Sequence, residues 1–356
     1  MSELLIVKTG ALGDVLRTTS ILPGLHRRYP GARVCWVTAP AAVDLVRTHP
    51  LVERVEPVDP GRAGDVAELA ARLGAGSWER VLSFDDEEPL CRLAAACGSP
   101  ADGTLSGAYW DGERRAYTPD VAPWFDMGLL SVHGKQEADR RKLANRESHP
   151  AIYAAMLGIE MGEPELALPD SARAAAAGFA ERHGLHANGP LVGFNTGAGG
   201  RWESKKLPVD RAVALGRLLN AELGGRLSVL VLGGPDEAER NRAILDGLTA
   251  GPEPVRAVDA GTDNALLDFA ALVDALALLV TSDSLALHVA VARRVPVVAF
   301  FAPTSAAEIE LYGRGEKVAS TAPDYCSYRA DADNSTLTPE RLAEAVLRHL
   351  PQGTRR

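Results

Sequence analysis

Short, nearly continuous apolar runs alternate along this chain with longer amphipathic stretches. Leu4-Leu5-Ile6-Val7 is the first such run, and Val15–Arg28 behind it carries helical spacing. Val34–Val37, Arg54–Val58 and Arg80–Ser83 predict three more strands, with helices over Val66–Leu73 and Leu90–Ala96. Runs without strict alternation fit strands buried on both faces of a parallel sheet, wrapped by helices. From about Gly98 to Pro150 the pattern weakens. Aromatics gather there (Tyr109, Trp110, Tyr117, Trp124, Phe125), followed by a polar helix over Gln136–Asn145 and a short one over Ala151–Leu157.

The alternation restarts at Leu191–Phe194. Strands are predicted over Ser228–Leu232, Val255–Val258, Leu276–Thr281 and Val297–Phe301, and helices over Val209–Leu223, Glu237–Leu248, Ala265–Val273 and Leu287–Arg293. Thr338-Pro339-Glu340 is a helix start, with an N-cap threonine and proline at the first helical position. Two α/β units follow, residues 1–168 and 169–356. Their boundary falls near Met161–Ala187, where Pro164 and Pro169 precede an alanine-rich helix. The final helix is a candidate to pack back on the first unit. Two Rossmann-like halves imply a cleft between them, the usual ligand position for such sheets.

Composition removes several classes. The 356 residues suit two domains, and 46% hydrophobic with 24% charged is globular. A net charge of -9 argues against a nucleic-acid surface, and only six of the 38 basic residues are lysines. Cys35, Cys91, Cys97 and Cys326 form neither a CxxC pair nor a zinc pattern, so reduced thiols are expected. The N-terminus has no basic region ahead of its apolar run, and no apolar stretch approaches the ~20 residues of a membrane span. A soluble, cytoplasmic protein is expected.

Candidate chemistry sits where strands hand over to helices. The first strand ends in Lys8-Thr9-Gly10-Ala11-Leu12-Gly13-Asp14. A glycine turn there exposes backbone N–H groups, a natural anion site, although it is neither GxGxxG nor a Walker loop. Asp14 is either the helix N-cap or a carboxylate presented at the sheet edge. Asn195 to Pro208 is glycine-rich and carries Thr196, Gly197, Arg201, Lys205 and Lys206; ammonium groups beside glycines suit a diphosphate, or form a solvated loop. Thr281-Ser282-Asp283-Ser284-Leu285-Ala286-Leu287-His288 repeats the arrangement. Asp283 is a possible cap there, and His288 a possible core histidine. Glu237, in Gly233-Gly234-Pro235-Asp236-Glu237, could accept from a ribose hydroxyl or favour a helix dipole.

Together these segments resemble the ADP-heptose:lipopolysaccharide heptosyltransferases, inverting enzymes of glycosyltransferase family 9 with the GT-B fold. Gly13-Asp14-Val15-Leu16-Arg17-Thr18-Thr19, Tyr29-Pro30, the Gly193–Pro208 loop, Gly233–Glu237, and Asp283–His288 with Pro303-Thr304-Ser305 match in order, over about residues 4–349. The resemblance implies an α/β GT-B architecture, two Rossmann-like domains facing each other across a cleft. The acceptor is expected in the first half and the nucleotide sugar in the second.

Carried over by position, Asp14 matches the general base and Lys205 the lysine that steadies the leaving diphosphate. Thr196, Gly197, Glu237, Asp283, Ser284, Leu285, Ala286 and His288 match the donor-binding run. Thr9, Gly10, Trp124, Lys135, Arg140 and Arg141 are the acceptor candidates, and the basic ones would suit an acidic acceptor or simply form a solvated helix face.

No metal or cofactor is implied. Asp85-Asp86-Glu87-Glu88 is an acidic run but supplies few converging oxygens. The implied partners are a nucleotide sugar and a glycan or small-molecule acceptor, without nucleic acid. Attachment to the inner membrane face stays open, as does monomer against dimer.

The chain departs from the family pattern at three points. Leu285 replaces a glycine, which restricts close backbone approach. Gly10 stands where some relatives carry serine, and Leu207 replaces a tryptophan. Two alternatives remain beside ADP-heptose transfer to a lipopolysaccharide core. One is the same fold with another nucleotide sugar, or with a natural-product or protein acceptor. The other is a degenerate nucleotide-binding scaffold without activity.

Overall fold

The computed structural model describes residues 2–185, 189–200 and 202–351; Arg201 of the glycine-rich loop and the end of the expected boundary segment, including Ala187, lie outside them. The chain divides into two compact units, Met1–Ala167 and Leu168–Arg356.

The first unit runs β1 (Glu3–Val7), α1 (Leu12–Thr18), α2 (Leu22–Arg28), β2 (Arg33–Thr38), α3 (Val43–Val46), β3 (Arg54–Pro57), α4 (Ala63–Gly74), β4 (Arg80–Ser83), α5 (Glu88–Cys97), β5 (Leu105–Trp110), β6 (Arg115–Tyr117), α6 (Ala122–Phe125), α7 (Lys135–Ala144) and α8 (His149–Leu157). Its sheet order is β3-β2-β1-β4-β5-β6, parallel except for the β5–β6 hairpin. Leu5, Val7, Val37 and Val81 from the strands pack with Val66, Leu69, Leu90 and Leu93 of α4 and α5 in one apolar cluster.

The second unit runs α9 (Asp170–Arg182), β7 (Leu191–Asn195), α10 (Val209–Glu222), β8 (Ser228–Val231), α11 (Ala238–Thr249), β9 (Arg256–Asp259), α12 (Leu266–Asp274), β10 (Leu278–Ser282), α13 (Leu285–Ala292), β11 (Val297–Phe301), β12 (Gly315–Ala319) and α14 (Pro339–His349). Its sheet, β12-β11-β10-β7-β8-β9, is parallel throughout. Counted from its own first strand, it repeats the order of the other sheet. β7, β10 and β11 are buried along their whole length, which is why they read as unbroken apolar runs. Thr338 caps α14 through its hydroxyl, with Pro339 in the first turn, and the helix packs on α10, β11 and β12 of its own unit.

The single helix expected over Val15–Arg28 is instead α1, a 3-10 turn at Thr19–Ile21, and α2. The cause is local. The Thr18 hydroxyl donates to the Asp14 carbonyl and the Thr19 hydroxyl to the Leu16 carbonyl, both at 2.7 Å, and Pro23 has no N–H to continue the ladder.

β5 and β6 lie in the stretch that carries no periodicity. Gly107 of β5 has φ +128, and a Cβ there would stand 1.9 Å from the Ser83 carbonyl oxygen, so the close approach to β4 requires glycine.

No helix among the described residues is long and apolar enough to cross a membrane. All four cysteines are free thiols, and burial pushes Cys91 and Cys97 up to about 12.

Candidate functional site

In each sheet the chain order reverses beside the first strand: β1 lies between β2 and β4, and β7 between β8 and β10. Flanking connections diverge there and leave a crevice at the carboxyl ends of the strands. Thr9, Gly10 and Asp14 follow β1 in the first unit; Thr196, Gly197 and Lys205 follow β7, and Asp283–His288 follow β10, in the second.

In the first unit, β1 runs into Lys8 and Thr9, which are 8% and 3% exposed, and β4 leads into Asp85 at 6%. The Lys8 ammonium pairs with one Asp85 oxygen, while the Thr9 backbone N–H and hydroxyl both donate to the other, the hydroxyl at 2.8 Å. The Trp36 indole N–H donates to the Lys8 carbonyl at 3.1 Å. The acceptor candidate Thr9 is therefore part of the strut that fixes the turn. Gly10 beyond it faces open space.

Asp14 does not cap its helix. The N-cap of α1 is Ala11, with no side-chain bond, and Asp14 is the third helical residue. Its side chain is 37% exposed and pairs with the Arg17 guanidinium at 2.9 Å, one turn along. The turn thus presents a solvent-reaching carboxylate near the positive end of a helix dipole.

In the second unit, β7 ends at Asn195, whose amide donates to the hydroxyls of Thr281 at 3.2 Å and Ser284 at 3.1 Å. The Ser282 hydroxyl donates to the Gly197 carbonyl at 2.6 Å. Lys205, 78 residues from Asp283 in sequence, meets its carboxylate at 3.3 Å, with side-chain exposures of 14% and 22%. Ser284, not Asp283, is the N-cap of α13. Leu285 is its first residue and half-buried; Ala286 and His288 are buried within it.

The glycine-rich loop is tied down from three sides. Glu237, 5% exposed, accepts the N–H of Gly199 at 2.5 Å with one oxygen and that of Gly234 at 2.6 Å with the other. A Cβ on Gly197 would lie 2.4 Å from Glu237 Oε1, so the loop and the carboxylate fit only with glycine there. Arg240 donates to the Thr196 hydroxyl at 3.0 Å and to the carbonyls of Thr196 and Leu207, and burial lowers its pKa. Asn334 donates to the Lys206 carbonyl at 2.9 Å. Asn195, Arg240 and Asn334 were not among the expected site residues, and neither was Asp85 as a partner of the first turn.

Glu237→Gln is expected to leave one of the two loop N–H groups facing an amide NH2. The cost should be about 1–3 kcal/mol in urea unfolding. An unchanged midpoint would remove Glu237 from this role.

Lys135 pairs with Asp139, Arg140 with Glu137, and Arg141 with both Glu137 and Asp126. Glu137 is held down at about 2, chiefly by its bond to Arg140. The unbalanced positive charge suggested by the sequence is therefore largely met on and beside α7. Trp124 is half-buried and set edge-on to His149 and Tyr153, with the Arg17 guanidinium 5.5 Å from its ring centre. Phe125 is core, stacked on Tyr117. Asp85 is spent on Lys8 and Thr9, and among the described residues no group of three or more His, Cys, Asp or Glu is placed to hold a metal.

A family model described as "Glycosyltransferase family 9 (heptosyltransferase)" matches residues 124–337, more than half of the chain. Lipopolysaccharide heptosyltransferase 1 of Escherichia coli strain K12 is 32% identical over 119 residues, 32% of this chain and 37% of that enzyme, so the match spans little more than a third of the relative's length. Two solved structures align almost throughout. A glycosyl transferase of family 9 from Veillonella parvula has a TM-score of 0.75 at 20% identity, covering 98% of this chain and 97% of that one. Escherichia coli ADP-heptose lps heptosyltransferase II has a TM-score of 0.66 at 21% identity, covering 99% of both. At these identities the likeness establishes the fold, which is GT-B.

Proposed function

The chain belongs to glycosyltransferase family 9, the heptosyltransferases, and from that premise we propose that it moves a heptose from ADP-heptose to a hydroxyl of a glycan acceptor, with inversion at the anomeric carbon. The observation that carries this reading is the Lys205–Asp283 pair at the switch point of the second sheet, beside a glycine-rich loop held open by Glu237 and Arg240. An ammonium, exposed backbone and a helix N-terminus meet there, the parts needed to hold a nucleoside diphosphate and accept its charge.

A sugar hydroxyl is a poor nucleophile until its proton is being removed. In this reading the acceptor hydroxyl passes its proton to Asp14 as its oxygen bonds to the anomeric carbon. The bond from that carbon to the diphosphate breaks through an oxocarbenium-like transition state, and the electron pair leaves with ADP. Lys205 meets the charge that develops on the leaving oxygen. Asp283 orients Lys205 until the diphosphate arrives, and Ser284 and Thr196 supply hydroxyls at the same edge. The counter-charge comes from Lys205, and the reading assigns no metal ion.

Comparative calorimetry tests the donor. ADP is expected to bind at least tenfold more tightly than UDP or GDP, a difference of about 1.4 kcal/mol. Equal affinity for the three would contradict the assignment.

The acceptor carries a second reading. Lys135, Arg140 and Arg141 are already paired with acids, which favours a neutral or weakly acidic acceptor, a small molecule included, over a highly anionic lipopolysaccharide core.

A further inference from the structure

Asp14 is half-exposed on the first turn of a short helix, and a carboxylate in that position rotates freely about its last torsion unless something holds it. Arg17 does so. Its guanidinium meets Asp14 Oδ1 at 2.9 Å, and at 13% exposure it is far more enclosed than the carboxylate it holds. The Trp124 ring lies 5.5 Å from its Cζ. Trp124 stands edge-on to His149 at 4.9 Å and to Tyr153 at 5.5 Å, and Tyr153 packs on Phe84 at 4.7 Å. Phe84 precedes Asp85, the residue that fixes Lys8 and Thr9 at the other end of the turn. One contiguous set of side chains therefore grips the turn at both ends, and Arg17 is its last link to the reacting carboxylate.

We propose that Arg17 is the positioning residue of the general base, holding the Asp14 carboxylate in its productive orientation while Trp124 holds the guanidinium. The proposal rests on Asp14 being the base. Electrostatics alone argue the other way: an adjacent opposite charge favours the ionised carboxylate and makes it a poorer proton acceptor. If basicity were all that mattered, removing Arg17 would speed the reaction. If orientation matters, removal slows it, because small misplacements of a reacting group cost orders of magnitude. The Asp14 end of the pair reaches solvent, which limits its contribution to stability, so the variants are expected to fold, and their melting temperatures check it.

The test compares steady-state kinetics, ADP affinity and melting temperature for Arg17→Ala, Arg17→Lys, Asp14→Asn and the double variant Asp14→Asn/Arg17→Ala. Arg17→Ala is expected to lower kcat by ~10- to 100-fold with ADP affinity and melting temperature kept. Arg17→Lys retains the charge but loses the planar face over Trp124, and should recover part of the rate. The double variant should be no slower than Asp14→Asn, since residues acting as one unit are not additive.

Full activity of Arg17→Ala would overturn the proposal, as would a double variant slowed by the product of the two single effects, which would mean that Arg17 acts on substrate directly. If Arg17→Ala melts early, Arg17→Lys decides alone: loss of rate with stability kept supports positioning, and undiminished rate refutes it. An Asp14→Asn variant at full rate would instead sink the base assignment, an outcome separate from the behaviour of Arg17.

Discussion

Asp14→Asn should cut turnover by about 10²-fold or more while leaving ADP affinity and the melting temperature where they were, the usual size of losing a general base. The expectation follows from position. Asp14 is not the N-cap of α1, and asparagine keeps an oxygen acceptor for Arg17. The carboxylate end of the ion pair reaches solvent, which keeps its contribution to stability small. The turn itself is fixed elsewhere, by Asp85 on Lys8 and Thr9, so the acceptor side of the site should persist. Rate measured with saturating donor, beside calorimetry with ADP, separates chemistry from binding. Near-full turnover in this variant would remove Asp14 from the mechanism.

Lys205→Ala should weaken ADP binding by roughly 10- to 100-fold, the about 1.5–3 kcal/mol carried by a hydrogen bond to a charged group. Two consequences of the geometry add up here. The diphosphate loses its ammonium, and Asp283, 3.3 Å from Lys205 Nζ, is left beside the incoming anion without it. Repulsion from that carboxylate predicts that Lys205→Ala/Asp283→Asn binds ADP better than Lys205→Ala alone. Unchanged ADP affinity in Lys205→Ala would show that the loop's backbone holds the diphosphate unaided.

The βα alternation was legible because parallel strands buried on both faces read as unbroken apolar runs, as in Leu4–Val7 and Val297–Phe301. β5 was not, because Ser106-Gly107-Ala108 at its centre are small residues that let two strands approach. Its hairpin did carry a signal in Asp111-Gly112, where the Asp111 carboxylate accepts the N–H groups of Glu113 and Arg114. β12 was hidden by Glu316 and Lys317, tolerable on an edge strand.

The site divides the same way. Asp14, Lys205 and Asp283 stand in the connections that follow β1, β7 and β10, a place that the linear pattern reveals. Arg240 and Asn334 act on backbone 33 and 128 residues away, so nothing in their own neighbourhoods marks them; Asp85 stands in a visible acidic run after β4, but its partners Lys8 and Thr9 lie 77 and 76 residues away. Lys135, Arg140 and Arg141 read as a charge run in the sequence, and their pairing in space with Glu137, Asp139 and Asp126 is what the linear order leaves unsaid.

Incubation of the protein with ADP-heptose and a lipopolysaccharide-type or small-molecule acceptor, followed by NMR of the product, reads donor, transfer and stereochemistry at once. ADP released in step with glycosylated acceptor, its new linkage inverted relative to the donor, is the predicted result. ADP-heptose left intact while another nucleotide sugar is consumed, or a product that retains the donor's configuration, would contradict it.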